Sequence, residues 1–303
     1  MPIRRLATLA FVFSVVANGT AFAQVVNPAT VQTAPPAPQG QTVIMPGTHT
    51  WEMPAIEVKG KAPLTEEDKI GAYEQPRWTS HRRFGETRVY VIPQGEAEFE
   101  FWLLPEMPKG NEPATLGAQY EFEFGLPGRF QVDLYAVSHK TGQQGPMEFD
   151  EQKYEVRWAL ADWGKIWGNP ALYAEWKAES NAPDHFEGKL LLGGEITSRW
   201  HWGSNLVYEY TMGGDKELSR EWTTGLSYTV ADTKASIGLE SQLALVNSVD
   251  AKGVRGDATT EFNLGPSVQF RPLPRVHIDV APLFGLTKNA LRMKGMFVFG
   301  WEF

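Results

Sequence analysis

Read back from its last residue, the chain alternates. Phe303, Trp301, Phe299, Phe297, Gly295 and Met293 fall on one parity, with Glu302, Lys294 and Arg292 on the other. A period of two with one apolar and one partly polar face predicts a β-strand. The same rhythm recurs upstream. Phe99, Phe101 and Leu103 oppose Glu98, Glu100 and Trp102, and Tyr120, Phe122 and Phe124 oppose Gln119, Glu121 and Glu123. Comparable runs follow at 130–136, 154–160, 172–177, 189–196, 200–210, 221–230, 236–245, 261–270 and 275–284. The count comes to about twelve, each near the ~9–11 residues that a tilted strand needs to cross a hydrocarbon layer.

The connections alternate too. Short turns are expected at 125–128, 197–199, 231–233 and 271–274, with a somewhat longer one at 162–169. Longer or more polar loops are expected at 105–115, 138–152, 180–185, 213–219 and 247–258, and 287–290 is a short exception. A soluble β-sandwich or lipocalin-like cup also alternates, but sandwich strands average ~5–6 residues. Trp163, Trp167, Trp200, Trp202 and Trp301 cluster near the short turns, where an interfacial aromatic girdle belongs.

The other end reads as an export signal. Arg4 and Arg5 precede an apolar run from Leu6 to Val16, and Ala21-Phe22-Ala23 supplies a cleavage site, so 1–23 is a signal peptide. Residues 24–50, rich in Pro, Ala and Gln, read as a disordered tether. Residues 51–85 read as a periplasmic N-terminal segment, long enough to fold back against the barrel's mouth or to enter it, in which Thr65-Glu66-Glu67-Asp68 suggests a helix N-cap and a turn or two of helix to about Tyr73. The hairpin pattern occupies 86–303. Mean hydropathy is −0.31, a value a strand-built membrane protein shares because each strand shows lipid only alternate residues.

Composition closes off several functions. The chain has no cysteine, which excludes thiolate metal sites and Cys nucleophiles. Formal charge is −8, and −10 once Arg4 and Arg5 leave with the signal, so nucleic acid is not an expected partner. The six histidines show no ligand spacing, so neither a metal nor a cofactor is expected. His201 and Ser204 lie three apart, which puts them on opposite faces of a strand and argues against a lipid hydrolase.

Parity assigns the inward side chains, Glu155 and Lys189 among them. The lumen-lining candidates are Glu98, Glu100, Glu121, Glu123, Asp133, Arg157, Glu175, Lys177, Glu195, Glu209, Glu240, Arg275, His277, Asp279 and Lys294. They suit either a pore favouring cations or polar solutes, or salt-bridge ladders in a nearly closed barrel. If the first two strands pair, Glu98 and Glu100 face Glu121 and Glu123. Like charges so placed call for a counter-charge, from Arg82 and Arg83 folding inward or from Arg292 and Lys294. Solvated carboxylates without partners are the other outcome.

The terminal Phe303, behind Phe297, Phe299 and Trp301, resembles the C-terminal signal read by the outer-membrane barrel assembly machinery. With the hairpin rhythm and signal peptide, residues 86–303 resemble a bacterial outer-membrane porin-like β-barrel. The Gly225-Leu226-Ser227-Tyr228 and Gly265-Pro266-Ser267-Val268 runs are similar in tone to the MetA-pathway, phenol-degradation-type outer-membrane transporter group. The resemblance implies an all-β, transmembrane, antiparallel up-and-down barrel with both termini periplasmic. Its surroundings would be outer-membrane lipid and lipopolysaccharide, with homo-oligomerisation left open. The implied role is passive transport of a small polar or cationic solute. A non-transporting structural or adhesive barrel is the alternative, and an envelope-lipid hydrolase a third reading.

Overall fold

The computed structural model describes residues 65–250 and 252–303. The signal peptide, the tether and residues 51–64 lie outside the described residues. A two-stranded ribbon, β1 (Lys69–Ile70) with β2 (Gln75–Pro76), and a 3-10 turn at Arg77–Thr79 come first. Twelve antiparallel strands follow: β3 (Ala97–Met107), β4 (Thr115–Leu126), β5 (Phe130–Thr141), β6 (Glu148–Ala159), β7 (Ala171–Glu179) and β8 (His185–Thr197). The set continues with β9 (Trp200–Thr211), β10 (Leu218–Ala231), β11 (Ala235–Asn247), β12 (Thr259–Leu273), β13 (Val276–Gly285) and β14 (Met293–Glu302). Each pairs with its sequence neighbour, and β14 pairs with β3 to close the ring. Closure leaves no edge to aggregate and satisfies the backbone of every barrel strand.

The faces follow the sequence parity. Phe122, Leu206, Leu239, Phe270 and Phe297 are 40–54% exposed on the outside, and comparable side chains surround the barrel. Soluble monomers rarely expose apolar patches above a few hundred Å²; a hydrophobic belt around a closed ring is a lipid-facing surface. The fold is a transmembrane up-and-down β-barrel. Trp200 and Trp301 are exposed on this exterior near the short turns. Trp163 is not a girdle residue. It is buried, its ring edge-on to Trp78 at 5.6 Å and to Tyr90 at 5.1 Å.

Residues 65–96 run inside the ring from the end that carries the short turns and Phe303. The stretch 86–96, which the sequence reading placed in the barrel wall, belongs to this inner plug. The helix expected over 65–73 does not form. Asp68 closes a turn on Thr65 instead, accepting its N–H at 2.5 Å. The left-handed residues Gly71 and Glu74 then turn the chain so that Tyr73 reaches the β4–β5 turn. There its hydroxyl donates to Leu126 O at 2.7 Å and accepts from Arg129 N–H at 3.0 Å.

Candidate functional site

The bore is built from rows of directly opposed side chains. Glu302, Glu98, Glu123, Asp133, Glu155, Glu175, Glu187 and Glu209 are successive cross-strand partners, one per strand from β14 through β3 to β9. The row rises from the turn end at Glu302 to the loop end at Glu209. On its loop side runs Lys153–Lys177–His185, and on its turn side Arg157–Tyr173–Lys189.

These flanking bases answer the acids of β5 to β9. Arg157 bonds Asp133 at 2.8 Å and also pairs with Glu155. Lys177 sits 2.8 Å from both Glu187 and Glu209 and 3.8 Å from Glu175. Opposed carboxylates destabilise a sheet unless compensated, and here the compensation is one row away.

Among the described residues no wall lysine or arginine pairs with the acids of β3 and β4, where Glu98 opposes Glu123 and Glu100 opposes Glu121; the wall base there is His277, against Glu98 and 3.6 Å from Glu100. The plug supplies the arginines. Arg82 forks onto Glu100 through Nε at 3.0 Å and Nη2 at 2.6 Å, and reaches Glu121 at 3.5 Å. Arg88 donates to Glu121 at 2.8 Å and lies 3.6 Å from Glu123. Arg83 turns to the other wall and bonds Ser227, Thr229 and Glu66. Of the two sources of counter-charge that the sequence offered, the N-terminal segment meets these acids, through Arg82 but not Arg83, and Arg88 joins it. Lys294 instead pairs with Glu86 at the plug's tip and donates to Gln242 at 3.0 Å.

The remaining inward candidates divide by depth. Glu240 accepts the backbone N–H groups of Gly85 and Glu86 at 2.9 and 2.8 Å, halfway up β11. Glu195 accepts the Trp78 indole N–H at 2.9 Å near the turn end. His277 bridges Glu98 and Asp279. Arg275 is the exception: it lies in the turn between β12 and β13 and is exposed, because strand parity carried past Val276 loses meaning once the backbone turns. His201 points into the lumen against Arg83, whereas Ser204 bonds the exterior Trp222. They do not meet.

A second fitting is apolar. Gly193, Gly203 and Gly225 are opposed neighbours on β8, β9 and β10 and face inward. Their missing side chains leave a trench for Phe84, Thr87 and Val89. A Cβ at Gly225 would stand 2.4 Å from the Phe84 ring, and one at Gly193 would stand 2.3 Å from Val89.

Above the plug tip the bore opens. A cavity of about 440 Å³ touches Arg82, Arg88, Trp102, Tyr135, Lys153 and Lys177, and a second of about 290 Å³ lies toward the loop end. The latter is rimmed by Glu106, Glu209, Glu217, Glu221 and Glu261, with Lys294 and His185 as its bases. At the opposite mouth, burial pushes the Glu67 carboxyl up to about 7, helped by Glu195, Glu66 and Asp232 and opposed by Arg83. Glu96 is likewise pushed up to about 7, by burial first and then by Glu302 and Glu98.

No family model matches the chain, and no curated protein sequence matches it. Solved structures do. An outer membrane channel from Pseudomonas putida F1 superposes with a TM-score of 0.57 at 9% identity, over 74% of this chain and 100% of that one. The fold is that of an outer-membrane β-barrel. A NanC porin (TM-score 0.46, 8% identity, 67% of this chain and 97% of that one) and a KdgM porin (0.41, 11%, 67% and 98%) are more distant.

Glu187, Lys153 and Arg88 were missing from the sequence-stated lumen set. Parity with Lys189 and with Glu155 points to the first two. Arg88 has no such signal, since 84–96 carries no period.

Proposed function

We propose that the protein is an outer-membrane channel for passive entry of a small polar or cationic solute, held shut by its own N-terminal segment. The signal peptide exports the chain, and the short turns and both termini face the periplasm. The observation that carries this reading is the construction of the bore. A polar, ion-paired lumen continues from the acid-rimmed loop end down to the plug, and the plug is seated by hydrogen bonds and ion pairs to the wall together with apolar packing of Trp78, Phe84, Val89 and Tyr90. A ring of carboxylates at a cavity entrance concentrates cations.

The filled turn end also fits a barrel that transports nothing and serves a structural role. Planar-bilayer recording of purified full-length protein separates the two. Discrete current steps, with a reversal potential displaced toward the cation in a salt gradient, support the channel. A bilayer that stays silent, including with Arg88→Ala, removes it in favour of the structural barrel.

A further inference from the structure

The seat of Arg82 is a finished receptor for a guanidinium ion. Glu100 takes the fork through both carboxylate oxygens, with three contacts of 2.6–3.0 Å. The Trp102 indole lies under the guanidinium carbon at 4.0 Å and steadies the same carboxylate by donating its N–H at 3.1 Å. Glu121 and Glu123 stand 3.5 and 3.6 Å from Nη2. A planar fork over an aromatic floor suits a guanidinium better than an ammonium, and the neighbouring carboxylates add attraction for any cation.

Two further facts bear on what this seat is for. Its carboxylates belong to the barrel wall, while its occupant belongs to a segment that enters from one end. And Arg82, Trp102 and Arg88 all border the 440 Å³ cavity, so the seat adjoins space reached from the loop end. Resting on the channel reading above, we propose that this cage is the solute-binding constriction of the bore. It takes a small organic cation bearing a guanidinium group, and Arg82 is the tethered competitor that occupies it in the closed state. The acid rim at the loop end concentrates the cation, the cavity admits it, and its binding and the seating of Arg82 exclude one another.

Methylguanidinium is the probe, added to each side of a planar bilayer in turn. In wild-type protein it raises opening frequency, and sodium or tetramethylammonium at equal concentration does not. In Arg82→Ala the vacated cage binds the probe directly, and potassium current is blocked in a concentration-dependent manner. Adding the isosteric Glu100→Gln to that variant raises the half-blocking concentration about tenfold or more, since a charge-assisted fork is lost. Trp102→Leu weakens the block in the same direction. Heat-modifiable gel mobility establishes that each variant is a folded barrel. Should Arg82→Ala fail to fold, the wild-type response decides. Equal effects of all three cations, or a block indifferent to Glu100→Gln, overturn the proposal while the channel reading stands. Absence of current from wild-type and Arg82→Ala alike overturns both.

Discussion

Gly225→Ala tests whether the glycine trench seats the plug. The added methyl would fall 2.4 Å from Phe84 Cδ1 and 2.8 Å from its Cγ and Cε1, against a normal carbon–carbon separation of ~3.5–4.0 Å. The ring is 1% exposed, so any retreat must displace packed neighbours. Overpacking of this kind costs about 1–3 kcal/mol, which multiplies the unseated population roughly 5- to 150-fold. The barrel itself responds with the opposite sign, since Ala within a strand is favoured over Gly by ~0.5–1 kcal/mol. The chain has no cysteine, so Thr87→Cys gives a single reporter, buried against Thr223 at the plug's tip. Maleimide labelling of that thiol should accelerate by the same factor in Gly225→Ala, while resistance to thermal unfolding is kept or improved. An unchanged labelling rate in a folded barrel would refute the argument that this contact holds the plug.

Other outcomes follow from the same contacts. Arg88→Ala leaves Glu121 and Glu123 short of a partner, and breaking a buried pair from one side costs about 3–5 kcal/mol; labelling of Cys-substituted Thr87 should rise steeply. Trp163→Ala removes the ring beneath Trp78 and Tyr90, about 3–5 kcal/mol of packing, and should loosen the plug, whereas alanine at Trp167, 82% exposed, should leave labelling unchanged. Glu67 and Glu96 bind protons more tightly in the seated state than at the ordinary carboxylate value of 4.5. Seating should therefore be weakest above pH 7 and strengthen as pH falls from about 7 toward 4.5. The combined Glu67→Gln, Glu96→Gln variant should flatten that labelling profile. Deleting Phe303, whose N–H bonds Ala97 O at the closing seam, should sharply reduce the heat-modifiable barrel recovered from outer membranes. Normal recovery would count against the terminal aromatic as an assembly signal.

The wall of the barrel was legible because lipid and lumen impose opposite demands on alternate residues. That is why Phe99–Leu103 and Glu98–Trp102 sort to their faces from spelling alone, and why Glu98 opposite Glu123 could be anticipated with its need for a cation. The route of the plug was not legible. Residues 65–96 have no period to read, and their shape is dictated by what the wall offers: carboxylates for Arg82 and Arg88, a trench for Phe84, a turn for Tyr73. Trp163 and Arg275 were misplaced for a related reason. Both lie where a strand gives way to a turn, and alternation no longer tells inside from outside.

The inclined line of acids has a consequence for movement. Adjacent strands stand ~4.8 Å apart, so Glu209, Glu187 and Glu175, all bordering the cavity above the plug, form a ramp of closely spaced footholds on the wall of the proposed channel. A cation travelling it would shuttle sideways as much as downward, handed between carboxylates already shared with Lys177. No foothold would then hold it long, and each hop would cross only a small part of the membrane voltage.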